Sequence, residues 1–184
     1  MTTLDIQSAY EAVLKAKANL LEVVRSRGPE PVEDWELRST DGNPIKLSEL
    51  FGEHTELLLV HNMGRRCSYC TLWADGLEGY QKQIAKRCAF ALCSADEPDV
   101  AKAFAAERGW TYQVVSGAGS EFTKTMGYEM DDGSVLPGVS SFHKKNDGSI
   151  VRIAHTLFGP GDDFCPIWPL FDLLEGGTAD YQPS

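Results

Sequence analysis

Two cysteines with two residues between them, Cys67-Ser68-Tyr69-Cys70, follow the apolar run Glu56-Leu57-Leu58-Leu59-Val60-His61-Asn62 and open a helical pattern. At a strand-to-helix turn the first sulfur lies over the helix N-terminus, where unpaired backbone N–H groups and the helix dipole favour a thiolate. Arg65 and Arg66 stand immediately before it and add positive charge. The second sulfur falls one turn in, within disulfide reach. Cys70 also shares a three- and four-residue spacing with Trp73, Leu77, Tyr80 and Ile84, which puts it on the buried stripe of a helix running to about Lys86, whereas Cys67 lies outside that stripe. Cys67 is therefore expected to attack a disulfide, and Cys70 to resolve the mixed disulfide by attacking Cys67 and releasing the substrate thiol.

The elements that must hold this pair alternate between the two structural periods. Residues 5–27 space Ile6, Tyr10, Val13, Leu14, Leu20, Leu21 and Val24 as an amphipathic helix. Packing on its own domain is the favoured use of that helix, and a homodimer contact is the alternative. Gly28-Pro29 ends it and Pro29-Glu30-Pro31 reads as a stiff connector, so residues 1–34 form an N-terminal helix and linker ahead of a domain over 35–184. Short strands at Trp35 to Ser39 and Ile45 to Leu47 flank Asp41-Gly42-Asn43, and a small helix, Ser48 to Phe51, stops at Gly52. Cys88 to Cys93 is continuously apolar, as in a parallel strand covered on both faces. Pro98 opens a helix with Val100, Phe104 and Glu107 on one face, ended by Gly109, and Tyr112 to Ser116 is the next strand. A short helix spans Ser120 to Met126. Val139 to Lys144 and Ser149 to His155 flank Asn146-Asp147-Gly148, a hairpin signal. A last helix from Pro166 is expected to bury Ile167, Leu170, Phe171 and Leu174 before Gly176-Gly177. The class is α/β, a central mixed sheet flanked by helices.

Composition excludes several functions. With 184 residues, 42% hydrophobic and 24% charged, the chain can bury a core without disulfide staples. A net charge of -10 repels polyphosphates, so no nucleic acid partner is expected. No apolar run is long enough for a membrane span, and the N-terminal stretch is charged throughout, so a soluble protein without a secretion signal is expected. Five cysteines in such a chain suggest a reducing, cytoplasmic compartment in which any disulfide is transient.

The element order, with a C-x-x-C on the helix after a central strand, is that of a thioredoxin-like topology with an extra N-terminal helix. Gly64-Arg65-Arg66-Cys67-Ser68-Tyr69-Cys70-Thr71-Leu72-Trp73-Ala74-Asp75, then Gly109-Trp110-Thr111 before Val115-Ser116, and Leu136-Pro137-Gly138-Val139-Ser140-Ser141-Phe142 resemble an uncharacterised thioredoxin-like family related to the AhpC/TSA peroxiredoxins. The resemblance covers roughly residues 5–160. It implies the fold, but no particular substrate. Thioredoxins usually carry Trp where this chain has Arg66, and peroxiredoxins carry Pro and Thr where it has Val60 and Gly64, so the groups that would polarise a peroxide are missing. The resemblance further implies that the Leu136-Pro137 bond is cis and that Pro137 lies beside the cysteine pair, its backbone offered to an extended substrate; otherwise Pro137 simply starts an edge strand.

The expected function is thiol-disulfide exchange with a disulfide-containing protein or a small thiol, without a cofactor. Arg66, Tyr69, Trp73 and Pro137 border the groove, although core packing is the favoured reading of Trp73. Two alternatives stand beside it: a zinc site drawing on Cys67, Cys70 and two of Cys88, Cys93 and His61, and an interaction module whose cysteines are dispensable. Cys88 and Cys93 read better as buried small hydrophobes, and Cys165 as helix-end packing rather than a third redox thiol. His61 and His155 are candidate proton-transfer groups or structural histidines, and Asp75 caps or pairs locally.

Overall fold

The computed structural model describes residues 5–184, so the first four residues of the expected unit 1–34 lie outside the described residues. The chain runs α1 (Ile6–Ser26), β1 (Glu30–Val32), β2 (Glu36–Ser39), β3 (Pro44–Lys46), a 3-10 turn (Leu47–Phe51), β4 (Glu56–Asn62), α2 (Ser68–Ile84), β5 (Ala89–Ser94), α3 (Pro98–Arg108), β6 (Gln113–Ser116), α4 (Phe122–Thr125), β7 (Gly138–Lys144), β8 (Ile150–Leu157) and α5 (Ile167–Phe171). The strands form one mixed sheet in the order β1-β8-β7-β4-β5-β6-β2-β3. Its centre is parallel, Leu57 opposite Ala89 and Ala91 opposite Gln113, and β7 joins β4 antiparallel with Val139 opposite Val60.

Alternation along the central strands divides the core. Leu57, Leu59, Ala91, Cys93 and Val115 face the 3-10 turn, Phe122, Met126 and Tyr128. Val60, Phe90, Leu92 and Val114 face Ala74 of α2 and Ala101 and Ala105 of α3. This is the double coverage expected of β5 from its unbroken apolar run. Asp75 fastens α2 to α3, accepting from the Arg108 guanidinium and, at 2.8 Å, from Trp110 Nε1.

Several expectations are corrected. Glu30-Pro31-Val32 is a strand and not only a connector: it pairs with β8, Pro31 opposite Val151, on the sheet's edge where a residue without an N–H is tolerated. The other edge strand, β3, likewise carries a proline, Pro44. α1 does not pack into the core. None of its residues is buried, and Ile6, Tyr10, Leu20 and Val23 are more than half exposed, because β8 offers it only a narrow contact near Val24. Lys17 is paired with Asp163. In α3 the buried positions are Pro98, Ala101 and Ala105, so small residues rather than Val100, Phe104 and Glu107 meet the sheet. Tyr80 is 48% exposed, which shortens the buried stripe of α2. The last helix is only five residues long; Trp168 is its buried residue, while Leu170 and Leu174 face out. No helix among the described residues is long and apolar enough to cross a membrane.

Candidate active site

Cys67 is the N-cap of α2, with extended backbone (φ -97°, ψ 98°), and its Sγ accepts the Cys70 N–H at 3.2 Å. The helix begins there because Cys67 O takes both the Thr71 N–H, at 3.0 Å, and the Thr71 hydroxyl, at 3.2 Å. The thiol of Cys67 is brought down to about 6 by a hydrogen bond from the Cys70 thiol and by the Cys70 and Tyr69 N–H groups, against partial burial. Cys70 is pushed up, first by donating that hydrogen bond and then by its own burial. The asymmetry expected of the pair has its expected helix-end source in the Cys70 and Tyr69 N–H groups, but the Cys70 thiol leads and the arginines do not contribute. Arg65 and Arg66 are exposed, and hydrogen bonds at the helix end account for the lowering of Cys67.

The loop entering the pair is held by a carboxylate that sequence reasoning missed. Asp96, just past β5, accepts the Arg65 N–H at 2.6 Å, and its own N–H donates to Ser94 Oγ at 3.1 Å. Gly64 has φ +90°, and a Cβ there would sit 2.6 Å from Asp96 Oδ1. Asn62, at the end of β4, takes the Gly64 N–H on its Oδ1 at 2.8 Å. A glycine three residues before the first cysteine is the one signal of this close approach in the sequence.

Beside the sulfurs lies a cavity of about 310 Å³ lined by Met63, Cys67, Tyr69, Cys70, Trp73, Pro137 and the stretch Phe158-Gly159-Pro160. Of the expected groove residues, Tyr69, Trp73 and Pro137 meet here with both cysteines; Arg66 does not line it. Trp73 packs in the core, being 3% exposed, and one part of it also forms the wall of the cavity. The far wall is a strap after β8 that sequence reasoning left without a role. Asp162 ties it down, accepting from Trp73 Nε1 at 2.9 Å, from the Gly159 N–H at 2.9 Å and from the Phe164 N–H at 2.8 Å. Phe158 stacks on Trp73 with ring centres 6.1 Å apart. Tyr69 stacks on Trp168 at 6.0 Å, and its hydroxyl donates to Gln182 Oε1 at 3.3 Å. Cys165 is buried against Trp73 and Trp168, and its thiol is pushed up by burial, in keeping with a packing role.

Pro137 is placed as expected but not shaped as expected. Among the described residues no peptide bond is cis, so the Leu136-Pro137 bond is trans. Its backbone is not open either: Pro137 has no N–H, and its carbonyl accepts the Phe158 N–H at 2.9 Å. Gly138, next along, lies between β4 and β8, opposite both His61 and Leu157. A Cβ on Gly138 would meet Thr156 O at 2.3 Å, which is why this crossing point needs glycine.

His61 and Cys93 face the layer opposite the cysteine pair, within the cluster around Phe122 and Tyr128. His61 Nε2 lies 3.1 Å from Ser140 Oγ, its ring stacks on Tyr128 at 3.7 Å, and burial pushes it down to about 3, so it is a neutral core histidine without access to the thiols. His155 lies on β8 opposite Ser140, by the contact with α1. No group of three or more His, Cys, Asp or Glu among the described residues is arranged to hold a metal.

The family model described as bacterial protein of unknown function (DUF899) matches residues 16–182. Solved structures with the same fold include the peroxidoxin BcpB of Mycobacterium tuberculosis, with a TM-score of 0.58 at 22% identity over 71% of this chain and 84% of that one. The reduced Prx3 of Vibrio vulnificus in complex with hydrogen peroxide gives 0.57 at 17% identity over 73% and 89%. A thiol:disulfide interchange protein of the thioredoxin family from Chlorobium tepidum gives 0.51 at 21% over 77% and 95%. The thioredoxin-like fold is thereby established. No curated protein matches the chain.

Proposed function

The chain belongs to the DUF899 family of bacterial proteins, and within it we propose that this member is a thiol-disulfide oxidoreductase in which Cys67 is the nucleophile and Cys70 the resolving thiol. The observation that carries the reading is the pairing of a lowered thiol at a helix N-cap with a raised, donating thiol one turn on, both opening into one cavity. The Cys67 thiolate attacks one sulfur of a disulfide, the S–S bond breaks, and the departing thiolate takes up a proton. Mixed-disulfide formation removes the thiolate to which Cys70 donates, and with it the leading cause that holds the Cys70 proton in place. Cys70 then loses its proton and attacks Cys67 Sγ, which expels the second thiol. The substrate gains two electrons and two protons, and a cellular dithiol restores the reduced pair. A reducing, cytoplasmic compartment suits this cycle, and the peroxidoxin and interchange-protein neighbours favour redox chemistry at a coarse level.

The test is differential alkylation read by mass spectrometry across a redox titration. Cys67 and Cys70 are expected to oxidise together and reversibly while Cys88, Cys93 and Cys165 remain thiols. Cys67→Ser is expected to abolish exchange and Cys70→Ser to accumulate a mixed disulfide on Cys67. Undiminished activity in Cys67→Ser would overturn the proposal.

A further inference from the structure

We propose that the site takes a small, uncharged disulfide with an apolar substituent, seated in the cavity beside Cys67, and not an extended polypeptide; the inference rests on the oxidoreductase reading above. Two independent observations lead to it. The first is the closure of the backbone. An extended peptide docks beside a dithiol by adding a strand, which needs free N–H and C=O groups on the receiving edge. Here Pro137 has no N–H, its carbonyl is taken by Phe158 N at 2.9 Å, and Gly138 is enclosed between β4 and β8. The strand at which a polypeptide would dock is already occupied by the protein's own chain.

The second is the chemistry of what remains open. The cavity of about 310 Å³ is at the small end of ligand pockets, with room for one ring or short alkyl group joined to a disulfide. Its walls are the thioether of Met63, the rings of Tyr69, Trp73 and Phe158, and the two prolines Pro137 and Pro160. Among the described residues no ionisable side chain other than the cysteines and Tyr69 lines it. The carboxylate of Asp162, within the strap, spends its oxygens on Trp73 Nε1, Gly159 N and Phe164 N, and Arg66 is outside the lining. The carboxylates of a zwitterionic or anionic disulfide would lose hydration here without gaining a counter-charge, and ammonium groups would find only the Cys67 thiolate that the reaction consumes, whereas an aromatic or alkyl group would stack against Phe158 and Trp73. In the reaction R–S–S–R′ accepts two electrons and two protons to leave as R–SH and R′–SH, the dithiol becomes the Cys67–Cys70 disulfide, and a dithiol reductant returns it.

The experiment follows oxidation of the reduced full-length protein by benzyl methyl disulfide, cystamine, oxidised glutathione and insulin. Each rate constant is divided by that of the same probe with dithiothreitol, which removes differences in intrinsic disulfide reactivity. The expected normalised rate for benzyl methyl disulfide is at least fivefold above every other probe. A smaller advantage, or a faster rate with insulin, overturns the substrate class while leaving the oxidoreductase reading intact. Oxidation of wild type no faster than that of Cys67→Ser with every probe overturns the oxidoreductase reading itself. Phe158→Ala and Met63→Lys, made separately so that one unstable variant does not decide the matter, are each expected to lower the preference for benzyl methyl disulfide over oxidised glutathione at least threefold. An unchanged preference in a folded variant would show that the cavity is not where the substituent binds.

Discussion

Replacing Cys70 by alanine tests the origin of the reactive thiol directly. The fall of Cys67 from 9.0 to about 6 is carried by three donors, the Cys70 thiol first and then the Cys70 and Tyr69 N–H groups, against the opposing effect of burial. Loss of the leading donor should therefore raise the midpoint by at least one pH unit. A one-unit rise takes the thiolate at pH 6 from about one half to about one tenth. The alkylation rate at a single pH falls less than this, because a more basic thiolate is a better nucleophile, so the midpoint of the rate against pH is the quantity to measure. Iodoacetamide labelling of Cys67, followed by peptide mass spectrometry between pH 4 and 10, gives it. Cys88, Cys93 and Cys165 are all pushed up by burial, Cys93 to about 12, and do not compete near pH 6. Arg65→Ala and Arg66→Ala are the matched controls, and neither should move the midpoint by more than a few tenths. A Cys70→Ala midpoint that stays near 6, or an arginine variant that shifts it by a full unit, would refute the hydrogen-bond account and restore the charge-based one.

Three other outcomes are expected. Asp162→Ala leaves the Trp73, Gly159 and Phe164 donors without their acceptor and should lower stability by about 1–3 kcal/mol in urea unfolding, with Trp73 fluorescence altered and the Cys67 midpoint unchanged. Gly64→Ala combines a left-handed φ of +90° with a collision against Asp96, and should cost roughly 1–3 kcal/mol and slow Cys67 alkylation as the loop shifts. His61 is held neutral down to about 3 in the fold but takes a proton near 6.5 when unfolded, so the unfolded chain binds more protons between these values and stability falls as pH drops through that window. The loss by pH 5 is about 2 kcal/mol, and His61→Leu should flatten the urea midpoint against pH there; an equally steep dependence would assign it to other groups.

The sequence made the centre of the molecule legible because local chemistry and global position agree there. The apolar run of β4, the N-cap cysteine and the Asn146-Asp147-Gly148 turn each have one physical solution, and the structure adopts it. Where the outcome depends on a distant partner, periodicity alone misleads. Pro29-Glu30-Pro31 looks like a connector until β8, some 120 residues later, offers it an edge. Leu170 and Leu174 keep a helical spacing that the short α5 never uses, because Trp168 and Cys165 fill the space against Trp73. The strap from Phe158 to Phe164 carries no period at all, and its hold on Trp73 comes from one carboxylate that joins two of the strap's own N–H groups to a tryptophan 89 residues away. The trans bond before Pro137 departs from an expectation that came from resemblance and not from the residues themselves.

The two outermost strands, β1 and β3, are three residues long, and each carries a proline at its centre or its start, Pro31 and Pro44. A sheet of eight strands would otherwise offer two long rows of unpaired backbone groups as templates for further strands. With both margins short and proline-bearing, the sheet is a terminated lattice: it gives an incoming chain too few consecutive donors to nucleate on. Association between copies is thereby left to side-chain surfaces such as the uncovered stripe of α1, and fibrillar growth from the folded state has no ready backbone margin from which to start.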